Sequence, residues 1–272
     1  MTTDLLSPKS DYIFKLLMGD DLTPEITVDF LQSMLDLPEE EFITIEFMDT
    51  HLNPEEFQDK YGILDVRIRT RSGKIIDIEI QVSPTGKIEI RAMFYIARLI
   101  TGQIGSGDDY EKIKKTISIL VLDYDLYADE VYHHTFKLYD KKHDIEFTDL
   151  LEVHVIELPK LPLADDGSTE WKWLRFFKSS TKEEFELLAK ESVMIAKAVD
   201  KLSRYSVDPA IRATEELREK WRKDEATRMN SARAEGKAEG IRELVMIWRG
   251  DGRSDEDIAQ LLHVSVSAVG QM

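Results

Sequence analysis

The sequence has 272 residues, a formal net charge of −17 at pH 7 and no cysteine, which excludes a disulfide framework and a thiolate metal site. This length allows one substantial domain with an appendage. Because no basic region with a following apolar run opens the chain and no stretch approaches the ~18 apolar residues of a membrane span, we expect a cytoplasmic protein.

Two short helices and one strand are predicted in the first 48 residues. The first helix covers residues 10–18, where Ser10 can act as the N-cap. The second helix covers residues 24–35, with Pro24 in its first turn. A first strand is predicted over residues 43–48.

A β-hairpin is predicted next, because residues 63–71 and 74–82 alternate apolar and polar side chains as half-buried strands do. Residues 71–73 suit a three-residue loop in which Gly73 takes the left-handed conformation. A two-residue loop would set apolar faces against polar ones, so the pattern selects the register. The apolar pairs that follow are Leu64 with Ile80, Val66 with Ile78 and Ile68 with Ile76.

On the polar face of this hairpin, Arg67 lies opposite Asp77, and Asp65 lies opposite Glu79. The first is an ordinary cross-strand ion pair, whereas the second places two like charges side by side. Two carboxylates held together need a shared proton or a bound cation, and oxygen ligands favour Mg²⁺ or Mn²⁺. The alternative is a solvent-facing strand whose like charges are tolerated in water. Gln81, which follows on the same face, adds a neutral amide at the rim of this possible cation site.

The rest of the first half alternates strands and helices. A helix over residues 88–102 places Arg91, Tyr95 and Arg98 on one face. The strands expected after it are a buried one over 116–123, an edge strand over 131–139 and a buried one over 151–158. This order predicts an α/β fold, a mixed β-sheet flanked by helices, with an α-helical C-terminal region.

After Pro162 the composition changes, and residues 165–168 indicate a linker. We therefore predict three parts, which are a domain over residues 1–164, a helical extension over 165–226 and a helical tail over 227–272. The extension begins with an aromatic cluster that we interpret as packing core rather than as a platform for base stacking. Its members are Trp171, Trp173, Phe176 and Phe177.

The tail ends in a pattern that is similar to a helix-turn-helix unit. Ser254 can cap a helix over 255–262, and Ser265 can cap a final short helix. Residues 227–272 carry six basic and seven acidic side chains, so we favour a packing or oligomerisation element over a DNA-reading one. A homo-oligomer formed through the C-terminal helices is therefore an expected partner arrangement.

Asp65 followed by Glu79-Ile80-Gln81 on a hairpin resembles the D…(D/E)-x-K core of the PD-(D/E)XK nuclease superfamily. The closest resemblance is to its recombination-promoting nuclease, or transposase-like, family, and it spans roughly residues 8–161. The supporting segments are Ser10 to Gly19, Leu64 to Arg67, Arg91 to Tyr95, Ile119 to Asp123 and Ile156 to Lys160. Gln81 stands where most members carry lysine, but glutamine is common in the close family, which indicates a variant site rather than a dead one.

The resemblance implies a restriction-endonuclease-like core and a Mg²⁺-dependent DNA endonuclease (a hydrolase) acting in bacterial recombination, mobile-element or anti-phage processes. Asp65 and Glu79 would coordinate Mg²⁺ or Mn²⁺, with the backbone carbonyl of Ile80 as a further ligand. Gln81 would complete the catalytic set by orienting the attacking water through its amide.

Other candidate residues surround this set. Asp11 is either a third carboxylate for the metal or simply an acid at a helix N-terminus. The positive charge that Gln81 does not supply can come from Lys15, Lys60 or Lys87. The candidate contacts to DNA phosphates are Lys15, Lys60, Arg91 and Tyr95.

Two hypotheses of different classes follow. The intact set of Asp65, Glu79 and Gln81 favours an enzyme that acts on DNA. The net charge of −17 and the missing lysine favour a catalytically weak nuclease-like interaction protein that binds partners through its helical tail. A DNA enzyme with this charge needs locally concentrated basic residues or help from metal and partner subunits, because phosphate neutralisation drives DNA affinity.

Overall fold

A computed structural model describes residues 5–48, 66–84 and 86–271 of the chain. Its strands are β1 (Glu46–Phe47), β2 (Val66–Arg69), β3 (Ile75–Gln81), β4 (Thr116–Leu122), β5 (His133–Asp140) and β6 (Ile145–Glu157). Within the described residues they form one six-stranded sheet with the order β1-β2-β3-β4-β6-β5. The strands β3, β4 and β6 are parallel, and the outer pairings are antiparallel.

Helices of the first part of the chain pack on both faces of this sheet, and further helices follow along the chain. They are α1 (Asp11–Met18), α2 (Pro24–Met34), α3 (Ile88–Thr101), α4 (Thr169–Lys178), α5 (Lys182–Glu191), α6 (Val193–Val207), α7 (Pro209–Gly250), α8 (Asp255–Leu262) and α9 (Val266–Val269). The chain divides into two compact units, Met1–Glu215 and Glu216–Met272. The three-part division expected from the sequence stays a prediction.

The hairpin of β2 and β3 has the register expected from its apolar pattern. Val66 pairs with Ile78, and Ile68 pairs with Ile76. Gly73 has a φ of 92°, and its loop is closed by a hydrogen bond of 2.9 Å from the Thr70 N–H to the Lys74 carbonyl. The three-residue loop is therefore confirmed. The expected pairs that involve Leu64 and Asp65 lie outside the described residues.

The sheet is covered on both faces, so the expectation of half-buried hairpin strands is wrong. One face, which we call the helical-layer face, carries Ile76, Ile78 and Ile80 and packs with side chains of α1, α2, α4 and α6. The other, the α3 face, carries Leu120 and Leu122 beneath α3. The polar residues of β3 share this second face and are buried as well, because α3 crosses over them on its way from β3 to β4.

The helix α4 contributes large aromatic side chains to the core of the helical-layer face. Trp173 and Phe177 are fully buried. Phe177 lies 5.5 Å from the ring of Phe14 in α1, and the Trp173 indole N–H donates to Asp29 of α2 at 2.8 Å. The interpretation of this aromatic cluster as packing core is confirmed.

The predicted helices at the N-terminus are confirmed, although Ser10 does not cap α1 through its side chain. Its hydroxyl instead donates to Glu215 at 2.6 Å. The first strand is shorter than expected, spanning Glu46–Phe47 rather than residues 43–48. The strand β6 is longer than expected, because Ile145–Glu157 extends through the hairpin with the edge strand β5.

The second unit contains a small core of its own. Val245 of α7, Ile258 of α8 and Val269 of α9 are buried together. Ser254 forms a capping box with Asp257, and the Ser265 hydroxyl accepts from the Ala268 N–H, so both predicted caps are confirmed. In the part of the chain that the structure describes, no helix is both long and apolar enough to cross a membrane.

Candidate active site

The polar side chains of β3 project together onto the α3 face. Period-two alternation places Asp77, Glu79 and Gln81 on the side of the strand opposite the three isoleucines. Asp77 and Glu79 are buried, and Gln81 ends the strand at half-burial. The carboxyl end of the parallel strands is also where open α/β sheets generally bind ligands. This edge of the sheet is therefore the candidate active site.

Asp77 forms the cross-strand ion pair that the register predicts, but in a buried environment. The Arg67 Nε donates to its Oδ1 at 3.0 Å, and the two side chains are only 6% and 7% exposed. Burial raises the pKa of Asp77, while the Arg67 guanidinium opposes that rise. This pair fills the base of the α3 face and holds β2 against β3.

Glu79 is paired with Arg91, the first basic residue of α3. The Arg91 Nη2 donates to the Glu79 Oε1 at 2.6 Å, with side-chain exposures of 29% and 11%. The pKa of Glu79 is raised to about 7, because burial and, to a smaller extent, the charge of Asp77 raise it by more than Arg91 lowers it. A carboxylate in such a position requires a neighbouring cation if it is to stay ionised. In the structure that cation is Arg91.

Tyr124 is a residue of this site that the sequence analysis missed. Within the described residues its buried hydroxyl has no hydrogen-bond partner. Burial raises the pKa of Tyr124 to about 12, with a further contribution from the Glu79 carboxylate. Its position in the sequence could have identified it, because Tyr124 comes two residues after the buried strand β4, at the same edge of the sheet as Gln81.

The loop that carries Tyr124 is held by a fully buried carboxylate at the end of β6. Glu157 accepts from the N–H of Leu126 and from the N–H of Tyr127, the latter at 3.0 Å. Lys160 donates to the second carboxylate oxygen at 2.9 Å. The segment Ile156 to Lys160 that contributed to the family resemblance therefore fixes the loop beside the candidate site.

Candidate residues on α1 lie at its two ends. Asp11, in its first turn, accepts a hydrogen bond from the Tyr12 N–H at 2.8 Å. Lys15 lies in the last turn, next to the strand β2. Gly19, the residue directly after α1, lies between Lys15 and β2. A Cβ atom built on Gly19 would be 3.6 Å from the Lys15 Cγ and 3.5 Å from the Val66 Cγ2. Lys15 is thus on the helix end that approaches the first described residue of β2.

The remaining candidates are distributed as follows. Asp65 and Lys60 lie outside the described residues. Lys87 is the N-cap of α3 with a φ of 43°. Tyr95 lies one turn after Arg91, whose guanidinium carbon is 5.8 Å from the tyrosine ring centroid. The side chain of Ile80 faces the helical layer, so only its backbone is available to a ligand on the α3 face.

The donor atoms on this edge suit a hard cation. Among described residues no cluster of three or more His, Cys, Asp or Glu side chains capable of holding a metal is found. Glu79 nevertheless offers a buried carboxylate that already binds a cationic group, and Gln81 offers an amide oxygen. The Tyr124 hydroxyl, which has no hydrogen-bond partner among the described residues, adds a polar group that a ligand or its water can satisfy. These oxygen groups fit Mg²⁺ or Mn²⁺.

Comparison with known families gives a match that covers most of the chain. The family model described as PD-(D/E)XK nuclease family transposase matches residues 8–232. The chain belongs to this family. No curated protein and no solved structure matches it.

Membership in the PD-(D/E)XK nuclease family transposases confirms the restriction-endonuclease-like α/β fold expected from the sequence. It also supports a nuclease-like function. The matched region includes the sheet, α1 to α6 and the first part of α7, so it contains every candidate site residue.

Proposed function

We propose that this family member is a metal-dependent endonuclease that hydrolyses phosphodiester bonds in DNA, in a recombination, mobile-element or anti-phage process. The observation that carries the proposal is Glu79, a buried carboxylate with a raised pKa that is held by a cationic side chain at the carboxyl end of the sheet. Perturbed carboxylates of this kind concentrate at functional sites. We also infer a cytoplasmic setting, where such DNA is encountered.

Asp65 and Glu79 are the proposed metal ligands, together with the backbone carbonyl of Ile80, and Asp11 is a further candidate. A Mg²⁺ or Mn²⁺ ion held there would supply Lewis-acid polarisation of the scissile phosphate and would acidify a water molecule. The amide of Gln81 would orient the attacking water. The Tyr124 hydroxyl is suited to donate to a phosphate oxygen, because it has no partner within the described chain.

Arg91 has two successive partners in this proposal. In the structure it neutralises Glu79 at 2.6 Å. If Glu79 held a divalent cation, its charge would be neutralised by that ion, and the Arg91 guanidinium would be available for a phosphate of the substrate, which it can bind in a bidentate manner. This exchange reconciles the expected phosphate contact of Arg91 with its observed pairing. Lys15, at the end of α1 near β2, is the proposed source of the positive charge that Gln81 does not supply.

Plasmid cleavage tests the proposal. The purified protein should nick or linearise plasmid DNA with Mg²⁺ or Mn²⁺, and EDTA should stop the reaction. The variants Asp65→Ala and Glu79→Gln should reduce cleavage to the EDTA background. The matched control is Glu186→Gln, which removes an exposed carboxylate from α5 and should leave cleavage unchanged. Cleavage that persists in Glu79→Gln would remove this site from the proposal.

A second candidate function, binding of partners by the helical tail, is favoured by exposed apolar side chains in the second unit. Those exposed by more than half are Leu217, Met229, Met246 and Ile247. Exposed apolar surface of this kind is common at protein contacts. We propose that these helices join copies of the chain, which would supply a second nuclease core for the second strand of a duplex.

A further inference from the structure

Three basic side chains meet one carboxylate at the carboxyl edge of the sheet, on the helical-layer side. The group, which we call the edge cluster, consists of Lys9, Asp123, Arg175 and Lys178. Lys9 precedes α1, Asp123 follows β4, and the other two residues lie in the last turn of α4. None of the four was a candidate site residue from the sequence, because they come from three distant segments.

The charges in the edge cluster do not balance. The Lys9 Nζ is 2.7 Å from the Asp123 Oδ2, and the Arg175 Nη2 is 2.6 Å from the Glu184 Oε1. Lys178 is left with one long hydrogen bond in the described structure, to the Pro159 carbonyl at 3.5 Å. Each of the other two cations therefore has its own carboxylate, whereas the ammonium of Lys178 has none among the described residues.

Electrostatics at Lys178 favour an anion. Burial lowers the pKa of Lys178, and the neighbouring cations Arg175 and Lys9 lower it further, while Asp123 acts in the opposite direction. A partly desolvated ammonium among like charges gains more from a bound anion than an exposed lysine does. The cluster therefore has the charge and the partial burial of an anion-binding position.

The edge cluster lies beside the candidate active site. The Asp123 N–H donates to the Gln81 carbonyl at 2.9 Å, so the cluster begins one strand away from the proposed catalytic glutamine. Pro159, which accepts from Lys178, is the second residue after β6. Both contacts place these cations at the same carboxyl edge as Glu79 and Gln81, but toward the opposite face of the sheet.

We propose that Lys9, Arg175 and Lys178 bind a backbone phosphate of the DNA duplex, next to the phosphate that is cleaved. The proposal rests on the proposed function, since it assigns how the same substrate is held. A phosphodiester carries one negative charge and no sequence information, so this contact positions the duplex without selecting a sequence. It also gives a chain with a net charge of −17 a local cationic site.

The salt dependence of DNA binding tests the proposal. A short duplex is titrated with the full-length protein in EDTA between about 50 and 200 mM salt, where each phosphate contact contributes about 0.9 to the slope of log K against log salt. Lys178→Gln should lower that slope by about 0.9, while Lys178→Arg should keep it. Lys182→Gln, a charge loss at an exposed lysine of α5, is the matched control and should change nothing.

A variant that should increase the affinity for DNA distinguishes loss of the phosphate contact from misfolding of the protein. Asp123→Asn removes the carboxylate that partly neutralises the cluster, so it should tighten binding of the duplex at every salt concentration. A misfolded protein cannot bind more tightly than the wild type. Unchanged slopes in Lys178→Gln together with unchanged affinity in Asp123→Asn would overturn the proposal.

The outcome is separable from that of the proposed function. If the wild type cuts plasmid and Lys178→Gln has an unchanged slope, the phosphate contact is wrong and the nuclease stands. If the slope falls as expected but no metal supports cleavage, the phosphate contact stands and the nuclease is wrong. If the wild type does not bind the duplex in EDTA, the phosphate contact is wrong, and plasmid cleavage alone decides the nuclease.

Discussion

At the scale of single residues, the pair of Glu79 and Arg91 keeps a buried carboxylate neutralised inside the fold. A buried carboxylate without a partner would destabilise the fold by several kcal/mol. Arg91 supplies that partner, because its Nη2 lies 2.6 Å from the Glu79 Oε1. Arg91 belongs to α3, which Ile88 and Ile96 anchor against the sheet. Under the proposed function, a metal held by Glu79 would take over the role of Arg91, so the metal and Arg91 would exchange on this carboxylate.

This exchange predicts a coupling that depends on metal. A double-mutant cycle of Glu79→Gln and Arg91→Gln in EDTA should give a coupling energy of about 0.5–3 kcal/mol in the free energy of unfolding. With saturating Mg²⁺ the coupling should shrink, because Glu79 then interacts with the metal. The cycle of Arg67→Gln and Asp77→Asn is the control, since this buried pair lies on the same face and should keep its coupling. Equal coupling in EDTA and Mg²⁺ for the first pair would contradict the exchange.

At the scale of secondary-structure elements, the hairpin register could be predicted because its information is local. Three loop residues and alternating isoleucines define which residues pair, and those pairs are found between β2 and β3. The burial of Asp77 and Glu79 could not be predicted, since the same alternation is typical of a strand whose polar face meets water. That burial depends on the packing of α3 over β3 and β4, which the sequence of the hairpin does not indicate.

The turn of the hairpin is held by Glu41, which precedes β1 and reaches the loop between β2 and β3. It accepts from Thr70 at 2.8 Å, from the Ser72 hydroxyl at 2.7 Å and from Lys74. Burial opposes ionisation, yet the hydrogen bonds from Lys74, Ser72 and Thr70 lower the pKa of Glu41 to about 2. Glu41 therefore acts as a clasp that joins the start of the sheet to the hairpin of β2 and β3.

The clasp predicts a pH-dependent stability. The pKa of Glu41 is lower in the folded than in the unfolded chain, so its contribution is complete above about 4.5 and is lost as the pH falls toward about 2. Glu41→Gln should lower the free energy of unfolding by about 1–3 kcal/mol at pH 7, and the difference from wild type should vanish as the pH falls through that range. Urea unfolding at several pH values measures this difference in the free energy of unfolding. The control is Glu40→Gln, a substitution at an exposed neighbour, which should match the wild type at every pH. A pH-independent loss in Glu41→Gln would show that its charge is not what holds the turn.

At the scale of the whole molecule, the aromatic residues of α4 decide how much of the chain the nuclease core needs. The sequence predicts the change of composition near residues 165–168 and the packing role of the aromatics, because both are local properties. It does not predict their contacts with Phe14 and Phe30, which lie more than a hundred residues earlier. Long-range packing of this kind sets the minimal folding unit, yet no local periodicity encodes it.

Two truncations test this dependence. A fragment of residues 1–164 exposes the surfaces of α1 and α2 that Trp173 and Phe177 cover, where each aromatic buries ~150–250 Å². We expect it to lack a cooperative thermal transition.

A fragment of residues 1–226 keeps α4 to α6 and the hydrogen bond of 2.6 Å between Ser10 and Glu215, so it should fold and retain metal-dependent cleavage of plasmid DNA. Light scattering should then report a smaller assembly than for the full chain, because the exposed apolar side chains at Met229, Met246 and Ile247 are gone. A cooperatively folded 1–164 fragment would contradict the role of α4, and an unchanged assembly of the 1–226 fragment would place the subunit contact in the nuclease core.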